Sequence, residues 1–139
     1  MSVFGILFKL SRSVPGVNSL LRVFYHCDIP RKTRIVGGGI TLGHNGAGIV
    51  IHPNTVIEEN VFIQHHVTTG VRFKGDGCPI LRKNCSIGAY AIILGPVEIG
   101  ENAVIGAGAI VTHSVPANTV FYNKKIDIIK ERSSPEMEV

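Results

Sequence analysis

Stepping along the chain by six residues from Leu81 lands on Leu81, Ile87, Ile93, Ile99, Ile105 and Val111, each a large aliphatic side chain. The fourth residue after each is Cys85, Ala91, Val97, Ala103, Ala109 and Val115, all small or β-branched. Upstream the same interval gives Ile51, Ile57 and Ile63, with Thr55, Val61 and Val67 at the small position. Ile29, Ile35 and Leu42 continue it, with slight slippage around Val36–Gly39. A period of six fits neither an amphipathic helix nor the alternation of a flat half-buried strand. It fits a chain that bends at a fixed interval and returns above itself. Each hexapeptide is then one short strand plus a corner, and three make a triangular turn of about eighteen residues. The aliphatic residue points inward and stacks on its equivalents, and the small residue points inward beside a corner. Glycine, Asn and Asp in the remaining positions supply the backbone freedom that corners demand. A β-sandwich would not hold a six-residue phase over so many steps.

The general preference for right-handed crossovers would favour a right-handed coil. Hexapeptide periodicity of this kind nevertheless resembles that of the left-handed parallel β-helix, and an all-β fold of that type is expected. The 139 residues suffice for one domain with a real core. With 45% hydrophobic and 17% charged residues the chain is not a disordered tail, and no apolar run approaches a membrane span. Val3, Ile6, Leu7 and Leu10, then Val17, Leu20, Leu21 and Phe24, follow helical spacing, and Pro15 is placed to open the second helix. The expected organisation is a helical cap over 1–27, a β-helix over 28–121, and a C-terminal strand and mobile tail over 122–139. Phe121–Lys130 reads as the last strand, leading into that segment. The apolar opening MSVFGILFKL is broken by Lys9 without a small-residue cleavage site after it, so it reads as mature chain. Cys27, Cys78 and Cys85 are odd in number and lack CxxC spacing, which fits a reducing cytoplasm better than a disulfide framework. The charge of +4 suits a phosphate-bearing ligand but lacks the basic and aromatic interleaving of a nucleic-acid surface.

Insertions in a solenoid leave the regular surface as loops, often on the functional face. Two interrupt this ruler. The stretch GHNGAGIV between Leu42 and Ile51 holds His44, and VRFKGDGCPI lies between Thr69 and Leu81, just after the paired His65 and His66.

The stretch from Asp28-Ile29-Pro30 through GITLGHNGAGIVIHPNTVIEENVFIQHHVTTG to IGAYAIILGPVEIGENAVIGAGAIVTHSVPANT resembles the serine-acetyltransferase-like branch of the hexapeptide acyltransferases. That branch includes many sugar O-acetyltransferases of bacterial capsule and lipopolysaccharide synthesis. The resemblance covers roughly residues 28–120. It implies a homotrimer binding acetyl-CoA and the acceptor between adjacent prisms, with no metal and with His44 as general base. An acceptor hydroxyl is a poor nucleophile until its proton is withdrawn, and imidazole titrates near the working pH. Asp28 matches the acidic residue that orients the base in serine acetyltransferases, although its spacing to His44 is one residue longer than in that family. His65 or His66 lines the cleft, the other serving packing or trimer contact. Coenzyme A is expected along the C-terminal coils, its pantetheine at backbone groups around Gly88-Ala89 and Gly106-Ala107 and its phosphates at Lys124 and Lys125.

Three departures from the serine-specific members favour a sugar or polysaccharide-precursor hydroxyl as acceptor. Those members carry an acidic residue before the base, where this chain has Gly43, and a second active-site histidine where it has Cys78. They also carry a large helical N-terminal domain, against 27 residues here. Serine is the alternative acceptor, and a non-catalytic trimeric scaffold is the alternative of another class. A zinc lyase of the γ-carbonic-anhydrase type is disfavoured, since His26, His44, His52, His65, His66 and His113 contain no His-x4-His pair. His26, His52 and His113 read as ordinary surface or end residues.

Overall fold

Each hexapeptide forms one strand of two or three residues and then turns. The computed structural model describes residues 2–123 and places these strands in three parallel sheets, the faces of a triangular prism. The first face holds β1 (Arg34–Ile35), β4 (Val56–Ile57), β7 (Ile80–Leu81) and β10 (Glu98–Ile99). The second holds β2 (Ile40–Leu42), β5 (Val61–Ile63), β8 (Ser86–Ile87), β11 (Val104–Ile105) and β13 (Val120–Phe121). The third holds β3 (Val50–Ile51), β6 (Thr68–Gly70), β9 (Ile92–Leu94) and β12 (Ile110–Val111). Successive turns pair Ile80 with Glu98, Ser86 with Val104 and Ile92 with Ile110, the eighteen-residue step of the ruler. The step lengthens where the two loops intervene, so Asp28 faces Val50 and Thr68 faces Ile92. The fold is the expected left-handed β-helix.

The inward stack is Ile29, Ile51, Ile57, Ile63, Leu81, Ile87, Ile93, Ile99, Ile105 and Val111, each at most 1% exposed, and the small residues beside the corners are also buried. Thr69 takes an inward position that the ruler gives to an aliphatic. Its hydroxyl lies 2.8 Å from that of Thr55 and accepts from the His52 amide at 3.2 Å. A buried hydroxyl without a partner costs more than a bonded pair contributes. Thr69→Val is therefore expected to lose about 1–3 kcal/mol. The double variant Thr55→Val/Thr69→Val should recover much of that loss. Urea denaturation checks this, and a double variant worse than the two singles added would contradict it.

On the outside of the first face, Arg82 donates to Glu58 and to Glu98 at 2.8 Å each, stapling three successive turns. Those bonds hold both carboxyls below the usual glutamate range. Carboxyls depressed in the folded state contribute stability above their unfolded value, and the contribution is lost as pH falls through the folded value. Arg82→Met should thus lower the unfolding midpoint slightly at pH 7. It should also flatten its fall on acidification below about pH 4.5.

The N-terminal cap is α1 (Val3–Ser13) and α2 (Val17–Tyr25). Ser2 opens α1 by accepting from the Gly5 amide. Arg12 then clamps the hairpin onto the first turn, donating to the carbonyls of Pro30 (2.8 Å), Arg31 (2.9 Å) and Thr33 (2.7 Å). The buried face differs from the expected one. Phe4, Leu7, Phe8, Leu21 and Tyr25 pack inward, whereas Val3, Ile6, Leu10, Leu20 and Phe24 face out. The aromatic rings of Phe4 and Tyr25 meet at 5.0 Å on that inward face. Pro15 does not open α2, which starts at Val17 after a left-handed Gly16. At the other end β13 starts one residue earlier than the expected Phe121 and ends there, since Tyr122 and Asn123 are not strand; the remainder expected to Lys130 lies outside the described residues.

Candidate active site

The corner between the second and third faces recurs once per turn, and the first insertion falls on it. One backbone ladder runs along this edge. His66 N–H donates to Ala47 C=O (2.8 Å), Tyr90 N–H to His65 C=O (3.1 Å), and Gly108 N–H to Ala89 C=O (2.7 Å). The edge therefore joins the His44 loop, the His65-His66 pair and the glycine-alanine corners in a single column. The histidines and the small corner residues singled out in the sequence share one edge of the prism.

Gly43–Gly46 form a single tight turn in which His44 (φ 48) and Asn45 (φ 54) are both left-handed, and both are exposed. The His44 ring meets that of His65 edge-on, centroids 4.7 Å apart at 83°. His65 is half-buried and lies 5.4 Å from both His66 and Tyr90. Tyr90 in turn stacks on His66 at 4.6 Å and 8°. The His66 ring fits because residue 48 is glycine, since a Cβ there would lie 2.4 Å from the ring. Gly48 also has φ 67, where a side chain would be strained.

Sequence reasoning missed Tyr90. Its signal is visible in hindsight: IGAYAI at 87–92 repeats IGAGAI at 105–110 with one exchange, Tyr90 for Gly108. Both residues are left-handed (φ 61 and 68). A bulky residue in that conformation is uncommon and tends to mark function.

Asp28 does not reach His44. Its carboxylate lies 3.3 Å from Arg22, and no described hydrogen bond or ion pair joins it to the imidazole. Gly88 has a packing reason of its own, as a Cβ there would lie 2.6 Å from Ala107 N and 2.7 Å from Ile105 O in the turn above. Gly106 and Ala107 lie on the same edge, Ala107 exposed. Lys124 and Lys125 lie outside the described residues. Among the described residues no three His, Cys, Asp or Glu side chains cluster to hold a metal ion, and no helix is long and apolar enough to cross a membrane.

His52, read as an ordinary surface residue, is half-buried with Nδ1 2.9 Å from Cys78 Sγ. The Asn54 amide also donates to that nitrogen at 3.2 Å. Burial pushes the Cys78 thiol up, and pushes Cys27 and Cys85 up to about 12. The position before His44 is likewise filled, since a Cβ on Gly43 would lie 2.5 Å from Gln64 Oε1.

A family model, Bacterial transferase hexapeptide (six repeats), matches residues 79–113. The chain is 43% identical over 99 residues to the serine acetyltransferase of Escherichia coli strain K12, spanning 70% of this chain and 36% of that one. It is 41% identical over 102 residues to the serine acetyltransferase of Buchnera aphidicola subsp. Acyrthosiphon pisum, spanning 71% and 37%. The chain belongs to the hexapeptide-repeat transferases, in their serine-acetyltransferase-like branch.

Serine acetyltransferase from Brucella abortus strain S19, solved in complex with coenzyme A, superposes on this hexapeptide transferase with a TM-score of 0.72. That match has 34% identity and covers 84% of this chain and 47% of that one. The chain thus spans less than half the length of these relatives. Their names correct the expected acceptor: the relatives act on serine, not on a sugar or polysaccharide precursor. The departures that had favoured a sugar are weaker in three dimensions than in the sequence. Cys78 removes an imidazole, but His52 brings one against it from the preceding turn. Gly43 removes a carboxylate, but Gln64 fills that space with a polar group.

Proposed function

We propose that this chain carries the β-helix of an acetyl-CoA-dependent acetyltransferase that acylates the hydroxyl of L-serine, with His44 as general base. The observation that carries the reading is the edge column. An exposed imidazole on the first insertion shares one prism edge with corners in which two backbone N–H groups have no described partner. No Ala89 or Ala107 N–H is engaged among the described hydrogen bonds, so both remain for the amide carbonyls of a pantetheine arm. The Brucella abortus relative, solved with coenzyme A, supports that use of the fold.

In this reading His44 takes the hydroxyl proton as the oxygen attacks the thioester carbonyl, and coenzyme A leaves as its thiol. The homotrimer expected of the family would seat donor and acceptor between two prisms. Release of free thiol from acetyl-CoA that requires added L-serine tests the reading. Release independent of any acceptor, or none with serine, would contradict it.

A further inference from the structure

We propose that the outer side of the α1–α2 hairpin docks on an anionic lipid surface. The hairpin carries apolar residues on two sides. Phe4, Leu7, Phe8, Leu21 and Tyr25 face the coil, and a second apolar set faces away from it. On α1 that set is Val3, Ile6 and Leu10, and on α2 it is Leu20, Val23 and Phe24, at the short spacings that share one helix face. Val23 is 68% exposed and Phe24 71%. Single exposed apolar residues are ordinary, but six on one short hairpin mark a contact surface.

Charge says what kind of surface it meets. Residues 1–34 hold six Lys and Arg against one acidic residue, whereas residues 35–139 hold eight against nine. The positive charge of the whole chain is thus confined to the cap and the first turn. Lys9, Arg31, Lys32 and Arg34 are exposed, and none forms an ion pair among the described residues. Lys9 follows Ile6 by three positions and so borders the outer stripe of α1. Arg31 donates to the Ser13 carbonyl at 3.2 Å, which holds its charge beside the bend of the hairpin. Apolar side chains flanked by Lys and Arg suit a membrane interface, with the apolar face at the acyl boundary and the basic groups at anionic headgroups. A second copy fits less well, because facing caps would set like charge against like charge. An acidic protein would need a groove matched to this convex ridge, whereas a fluid lipid interface needs none. Neither helix is long enough to cross a membrane, so the hairpin lies on the surface rather than spanning it.

The test is sedimentation of the full chain with vesicles of phosphatidylcholine alone and of phosphatidylcholine mixed with phosphatidylserine. The chain should bind the mixed vesicles at least about tenfold more tightly, and added salt should weaken that binding. Val23→Gln/Phe24→Gln removes two outward apolar side chains and should lower affinity for the mixed vesicles by about tenfold or more. Lys32→Gln/Arg34→Gln keeps the apolar stripe and should lower it by about fivefold for each charge removed. Both variants should unfold at the wild-type midpoint, since all four side chains are exposed. Absent binding, equal binding to both vesicle types, or binding that salt leaves unchanged would each overturn the proposal. So would an unchanged affinity in Val23→Gln/Phe24→Gln. The particle mass without lipid tests the rival occupant. A wild-type particle larger than that of Val23→Gln/Phe24→Gln would assign the face to a second copy and overturn the lipid.

Discussion

His44→Asn is expected to lower acetyl transfer to serine by about 10²–10⁴-fold, the usual contribution of a positioned general base. Asn is the right replacement because His44 sits at φ 48 and ψ 42, in the left-handed region. Asn tolerates that region, whereas Ala would add backbone strain to the loss of the imidazole. The turn over Gly43–Gly46 and the ladder below it should persist, so coenzyme A binding and thermal unfolding should change little. The measurement is the rate of free-thiol release at saturating acetyl-CoA and serine. A variant within a few-fold of wild type would show that the base lies elsewhere, with His65 the next imidazole along the edge.

Ile87→Ala should cost about 2–5 kcal/mol of stability, the range for truncating a buried aliphatic side chain. Ile87 is fully buried on β8 and pairs in register with Ile63 on β5 below and Ile105 on β11 above. In a solenoid each turn gains most of its stability from its two neighbours, so a cavity in the middle weakens two interfaces at once. The turns cannot collapse onto the cavity without breaking ladders on all three faces. Chemical denaturation at fixed protein concentration checks the value. A loss under about 0.5 kcal/mol, the ordinary surface range, would contradict the inward stack.

The fold was legible because its core repeats. One inward residue per hexapeptide must be large and another small, and that demand left a six-residue signature from Ile51 to Val115. Handedness did not follow from that signature and came by resemblance. The cap was half legible: helical spacing located both helices, but several apolar stripes competed. The one that is buried carries the Phe4–Tyr25 contact between the two helices, which no one-dimensional period encodes.

The site divides similarly. His44 and the His65-His66 pair stood out because they sit in or beside breaks of the ruler. Tyr90 did not, since the ruler is silent about outward residues at unbroken corners. Asp28 was singled out by resemblance, despite a spacing one residue too long, yet its carboxylate lies against Arg22 on α2, a partner brought close only by the folding of the cap. The acceptor was misjudged for a related reason. Gly43 and Cys78 looked like missing groups in one dimension, while Gln64 and His52 come from other parts of the coil to fill those places.

The most direct test of the central claim is a single sample of the full chain with acetyl-CoA and L-serine. Coenzyme A released and O-acetylserine formed are both quantified by mass spectrometry. Serine transfer catalysed at the His44 edge predicts equal amounts of the two, both reduced about 10²–10⁴-fold when His44→Asn replaces the wild type. Coenzyme A released without O-acetylserine, or O-acetylserine formed equally well by His44→Asn, would contradict it.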